Sequence, residues 1–154
     1  MNIHVFLQFI RLGRLQFLLT GFIPFSTGTL LAILLGTGLT LTQFVLGYAT
    51  MAEAHLSVHY SNDYFDADAD RFVEQTAISG GSGVIVESPE LKPAALRAAI
   101  ALMMISVLIG YLLTVTYAYP ITFFAFVVGG NLIGWFYTAP PLAFVYRGLG
   151  EVIN

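Results

Sequence analysis

An all-α, polytopic transmembrane helical bundle is the fold class this sequence predicts, and three observations predict it. Apolar residues make up 57% of the 154 positions and charged residues only 10%. The mean hydropathy is +0.81, outside the usual soluble range and inside that of helical membrane proteins. The apolar residues fall into four runs of roughly 20 residues, each long enough to cross a bilayer as a helix. All six basic residues lie at one end of the bundle that four such runs would make. With no cysteine, disulfides are excluded. The net charge of -3 says little about partners, and no nucleic-acid partner is expected.

Leu15 to Leu35 carries no charge and reads as the first span, entered from a mixed stretch holding Arg11 and Arg14. The competing reading, a secretory signal, is disfavoured by its length and the lack of a small-residue cleavage pattern. Pro24 is expected to kink this helix, and Gly21, Ser26, Thr27 and Gly28 offer small surfaces for close helix contact. After the turn Gly36 to Leu39, Thr40 to about Tyr60 is the second span. It holds Glu53, His55 and His59, ionisable groups that are costly in lipid unless they face protein or a watery chamber. Each histidine alone is read as a hydrogen-bonded packing residue, and their alignment with the acids that follow points to a polar chamber.

Asn62 to Asp70, NDYFDADAD, brings four aspartates within nine residues. If the helix continues, His55, His59, Asn62, Asp63, Asp66 and Asp70 recur at steps of three and four and share one face. Carboxylates this close repel one another unless a cation sits among them, and hard oxygen ligands suit Mg2+ bridging to a phosphate. Asp68 lies off the stripe and is read as solvated, with an extra ligand as the alternative.

Arg71 to Leu91 is polar and reads as a surface loop. Its SGGSG centre, Ser79 to Gly83, could offer backbone N–H groups to an anion, but a flexible linker is the plainer reading. Ser88 and Pro89 look like an N-cap and first helical position, with Pro93 as the alternative start, and a third span follows from about Ala94 to Thr116. Tyr117 to Pro120 turns the chain into a fourth span, Ile121 to Tyr137, which Pro140 and Pro141 end. Four spans put Arg11, Arg14, Arg71, Lys92, Arg97 and Arg147 on one side, with no basic residue in either opposite turn. The positive-inside rule makes that side cytoplasmic, so both termini and the acidic loop face the cytosol from a plasma or inner membrane.

Asn62, Asp63, Asp66 and Asp70 fit the pattern NDxxDxxxD. Here the chain resembles the UbiA-type intramembrane aromatic prenyltransferases, whose first Asp-rich motif follows the second span. Tyr137 through Pro141 and then Arg147, Gly148, Leu149, Gly150 and Glu151 resemble the family's YTAPP and GLGE signature. The glycine loop and this tail are most similar to the branch that prenylates 1,4-dihydroxy-2-naphthoate in menaquinone synthesis, and Arg14 matches the basic position opening the first span. The resemblance implies Mg2+-dependent transfer of a polyprenyl group from its diphosphate to an aromatic acceptor. Asn62, Asp63, Asp66 and Asp70 would hold the metal, with Asp63, Asp66 and Asp70 central to catalysis. Asn62, Arg14, Tyr137 and Arg147 would contact substrate. Tyr64, Tyr137 and Tyr146 are candidates to shelter an allylic cation, although among 13 Phe and 8 Tyr packing is the plainer role for any one of them.

Two departures from the family pattern matter. Leu142 to Tyr146 lacks the basic residue the family carries there, leaving only Arg147. The family also has about nine helices and a second Asp-rich motif, so residues 1–154 are expected to be the N-terminal part of one truncated domain, inactive without its C-terminal half or a partner chain. Other classes fit less well. A calcium loop beginning at Asp66 would need glycine where Arg71 stands and glutamate where Ala77 stands. The CDP-alcohol phosphotransferase pattern is absent. The alternative kept open is a non-catalytic, cation-binding membrane protein, a transporter fragment or an assembly subunit.

Overall fold

A computed structural model of the chain describes residues 3–72 and 81–153. The helices are α1 (Ile3–Leu12), α2 (Leu18–Leu34), α3 (Leu41–Asp66), α4 (Val84–Glu87), α5 (Lys92–Thr116), α6 (Ile121–Trp135) and α7 (Gly150–Ile153). Short 3-10 turns lie at Leu15–Phe17, Asp70–Phe72, Pro89–Leu91 and Phe144–Arg147, and no strand occurs among the described residues.

Local chemistry explains most of the boundaries. Arg14 adopts φ +45°, a left-handed conformation that interrupts the helical ladder and separates α1 from α2. Within α2, Pro24 is accommodated without a break. The hydroxyls of Thr27 and Thr29 donate to the carbonyls of Ile23 and Phe25, so these polar groups are satisfied inside the helix. α3 starts with a reciprocal cap: Thr40 Oγ1 accepts from the Gln43 N–H, and Gln43 Oε1 accepts from the Thr40 N–H at 2.9 Å. Both expected starts of the third span are used in succession, Pro89 opening a 3-10 turn and Pro93 lying in the first turn of α5. Ser88 does not act as a side-chain cap. Its hydroxyl instead accepts from Gln8 Nε2 at 2.9 Å.

Two segments, Ile3–Leu34 and Pro89–Thr116, are long and apolar enough to cross a membrane. α6 is apolar but spans 15 residues, about 22 Å against a hydrocarbon core of about 30 Å. α3 has the length, yet Glu53, His55, His59 and its terminal acids lower its hydropathy.

The helix contacts are inside-out relative to a soluble protein. Thr50, Ser57, Ser61, Ser106 and Asn131 are buried, while Leu19, Ile23, Met104, Leu108 and Phe126 face outward. Ser57 Oγ donates to the Ala99 carbonyl at 2.8 Å, and Ser106 Oγ to the Thr50 carbonyl at 2.7 Å, joining α3 to α5. Asn131 Nδ2 donates to Ser106 Oγ at 3.0 Å, adding α6. Small residues permit this approach: a Cβ at Gly110 would lie 2.8 Å from the Val127 side chain. At one end Gln43 Nε2 donates to the Tyr119 hydroxyl at 2.8 Å, linking the start of α3 to the α5–α6 turn.

At the other end lies the apolar core. Leu12, Tyr60, Ala67, Val84, Ile85, Leu91, Ala95 and Ala99 are buried together there, flanked by Val5, Phe9 and Trp135. The expectation that residues 71–91 form a surface loop is therefore corrected for its second half. Ser82 through Ile85 are buried, because Val84 and Ile85 supply apolar side chains to the junction of α1, α3 and α5. Ser79 and Gly80, with Glu74 and Ala77, lie outside the described residues.

Candidate functional site

The final turns of α3 carry Asn62, Asp63 and Asp66 into that packed end, where each meets a partner from a different segment. Asp63 is 4% exposed. Its carboxylate accepts from the Ser82 backbone N–H at 3.2 and 3.3 Å and from the Ser82 hydroxyl at short range. Asp66 accepts from the Tyr146 hydroxyl at 2.5 Å. Asn62 Oδ1 accepts from Thr138 Oγ1 at 2.9 Å. The acids thus tie the end of α3 to the chain before α4 and to the tail after α6.

The expected continuous stripe is only partly formed. α3 stops at Asp66, and Asp70 begins a separate 3-10 turn after the turn over residues 67–69. Ala67 is 3% exposed inside the apolar cluster. Asp70 nonetheless stays close to its neighbours. It sits against Gly81, whose φ of +69° and missing Cβ leave room for the Asp70 carboxylate beside Asp63. Asp68 stays exposed, 3.6 Å from Arg71.

Burial raises all three inner carboxyls, and repulsion from neighbouring carboxylates adds to it at Asp63 and Asp66. Asp66 is pushed up to about 6, chiefly by desolvation and further by Asp70 and Asp63, against the Tyr146 hydrogen bond that holds it down. Asp63 is raised by desolvation, opposed by its Ser82 bonds and the Arg14 charge. Asp70 is raised by desolvation and lowered by Arg14. Tyr146 is raised, by desolvation first and then by its bond to Asp66. The Arg14 charge thus favours the ionised forms of Asp63 and Asp70; its guanidinium lies 4.7 Å from the centre of the Phe17 ring.

The remaining predicted residues sit apart. Arg147 is exposed and donates to the Pro141 carbonyl at 2.8 Å. Tyr137 is half-buried with its hydroxyl against Gly150, where a Cβ would come within 3.3 Å. Tyr64 lies under Lys92, whose Nζ is 5.2 Å from the ring centre. Tyr146, proposed from sequence as a cation shelter, is instead the hydrogen-bond partner of Asp66. Ser82 and Thr138 were not singled out. Both are common small polar residues, and only the folding of distant segments onto α3 reveals their role.

His55 and His59 stack with ring centres 4.8 Å apart, and Phe17 lies 5.5 Å from His59. His55 borders a cavity of about 440 Å³ between α2, α3, α5 and α6. Phe25, Met51, Val58, Phe123 and Phe126 also line it, so the chamber is mainly apolar rather than the expected polar one.

Among the described residues no three His, Cys, Asp or Glu side chains gather as a ready-made metal cage. The donor chemistry still suits a hard divalent ion bound through one or two carboxylates. Asp70 disfavours the charged forms of Asp63 and Asp66, and Asp63 that of Asp66, and a cation relieves that. Comparison with protein-family models, curated proteins and solved structures finds no match to this chain.

Proposed function

We propose that the chain is a UbiA-type membrane prenyltransferase domain, in which the packed end binds a prenyl diphosphate and an aromatic acceptor such as 1,4-dihydroxy-2-naphthoate. The observation that carries this reading is the convergence of Asp63, Asp66 and Asp70 with Arg14 at one end of an apolar helical bundle. In this reading four spans, α2, α3 up to about Tyr60, α5 and α6, cross the membrane, and by the positive-inside rule the six basic residues favour a cytosolic acidic end.

Mg2+ held by Asp63, Asp66 and Asp70, with Asn62 beside them, would supply charge neutralisation for the diphosphate. Arg14 faces the same acids and takes up charge on the departing group. Ser82 and Tyr146 hold Asp63 and Asp66 in place by donating hydrogen bonds. The apolar helices accommodate the hydrocarbon and keep water from the allylic cation until the electron-rich ring attacks it.

Incubating the protein in lipid with a prenyl diphosphate, Mg2+ and the naphthoate tests this. Mg2+-dependent uptake of the prenyl diphosphate that disappears in Asp66→Ala is expected; uptake that ignores Mg2+ would remove the metal assignment. A second reading, a membrane protein that binds a cation without turnover, draws support from one observation. Asn62, Asp63 and Asp66 are each already held by a protein donor. Mg2+ binding with no affinity for prenyl diphosphate would favour it.

A further inference from the structure

We infer that α1 lies in the plane of the membrane surface as an interfacial strut, with Ile3, Phe6, Leu7 and Ile10 forming its lipid-facing edge. This rests on the membrane reading of the chain and is independent of its chemistry. Those four positions follow the i, i+3, i+4, i+7 spacing of one helix edge. They are 74%, 45%, 58% and 37% exposed.

The other edge of α1 is committed to the protein. Val5 and Phe9 pack on the apolar cluster, and Leu12 is completely covered within it. The Tyr60 hydroxyl donates to the Phe9 carbonyl at 2.9 Å. Between the two apolar edges, Gln8 bonds Ser88 and Arg11 reaches Glu87 at 3.0 Å. Partners on α3 and just before α5 require α1 to run across the end of the bundle, not to extend α2.

Length and backbone agree. One straight helix over Ile3–Leu34 would contain 32 residues, about 48 Å against a hydrocarbon core of about 30 Å. The chain instead breaks at Gly13 and Arg14, whose N–H groups bond three residues back, to Ile10 and Arg11. Arg14 is left-handed at φ +45°.

The occupant of the exposed edge is the boundary between lipid headgroups and acyl chains. The outward apolar surface continues from Ile10 through Leu15 to Leu19 and Ile23 on α2 without leaving the same sheath of lipid. Exposed Arg11 lies on the polar edge of α1, at headgroup level in this placement, and an amphipathic helix seated there buries its apolar edge by about 5–10 Å. The same strut holds Glu87 and Ser88, so its seating also sets the height of the segment whose Ser82 grips Asp63.

The chain has no cysteine, so a single introduced thiol can be spin-labelled cleanly. In phosphatidylcholine–phosphatidylglycerol vesicles, nitroxides at Leu7→Cys, Ile23→Cys and Glu90→Cys are compared for collision with oxygen and with a water-soluble nickel chelate. The expected result is Leu7 favouring oxygen at a depth within about 10 Å of the phosphates, Ile23 much deeper, and Glu90 in water. A Leu7 label as wet as Glu90, as deep as Ile23, or reached by neither reagent overturns the strut. The last outcome would show a protein cover such as a second copy. A wet Ile23 overturns the membrane reading along with it.

Discussion

The acidic end and the opposite half of this molecule obey different rules. At the acidic end Leu12 and Val84 are completely covered by protein, and polar groups from the chain before α4 and the tail after α6 converge on α3. At the opposite half α2 contributes no buried residue, and Leu34 and Leu35 are 81% and 87% exposed. Large apolar side chains drive association only where water is the alternative; where lipid is the alternative, close small-residue contacts and interhelical hydrogen bonds must hold the helices. One chain thus carries a conventional apolar core at its site and, beneath it, a bundle with exposed apolar side chains and buried polar contacts.

The comparison breaks most easily at the core. Leu12→Ala should cost about 2–5 kcal/mol, because it empties a fully covered position. Leu34→Ala should change stability by less than about 0.5 kcal/mol. Thermal unfolding in mild detergent reads both, and equal losses would erase the distinction. Next in size come the helix contacts. A Cβ at Gly134 would meet Val58 at 2.5 Å, whereas none at Gly28 meets anything within 4 Å. Gly134→Ala should cost about 1–3 kcal/mol, while Gly28→Ala should gain about 0.5–1 kcal/mol.

A smaller effect sharpens the electrostatics. Asp66 is raised to about 6 in the folded protein, above an unfolded value of about 3.9. The folded state binds that proton more tightly, so stability falls as pH rises from about 4 to about 6, with the full penalty present above. Asp66→Asn should therefore melt higher than the parent at pH 7.5, and the gap should narrow by pH 4.5. A gap that widens on acidification would contradict the assignment. Smallest is the exposed Arg11–Glu87 pair. Glu87→Gln should cost less than about 1 kcal/mol and only at low salt.

Much of the helical framework was legible because its signals are local. The turn Gly36 to Leu39, the prolines before α5 and the uncharged runs place helix ends within a few residues of where they fall. The end of α3 was not legible. Ala67, Asp68 and Ala69 contain no glycine or proline, so no local turn signal marks where it stops. The buried Val84 and Ile85 were masked by the polar residues around them. At the site the acids stood out by spacing, but Ser82, Thr138 and Tyr146 act across 19, 76 and 80 positions. Arg147 looked equivalent to Arg14 by charge, yet the Arg14 charge acts on Asp63 and Asp70, while Arg147 is engaged with the Pro141 carbonyl.

Calorimetry of the protein in lipid nanodiscs, titrated with a prenyl diphosphate with and without Mg2+ at pH 7.5, is the most direct test of the acidic end. Saturable binding that needs the metal is predicted, abolished in Asp66→Ala and weakened at least tenfold in Arg14→Ala. Binding that ignores Mg2+ and both substitutions, or none at all from protein that retains its helical signal, would contradict the account.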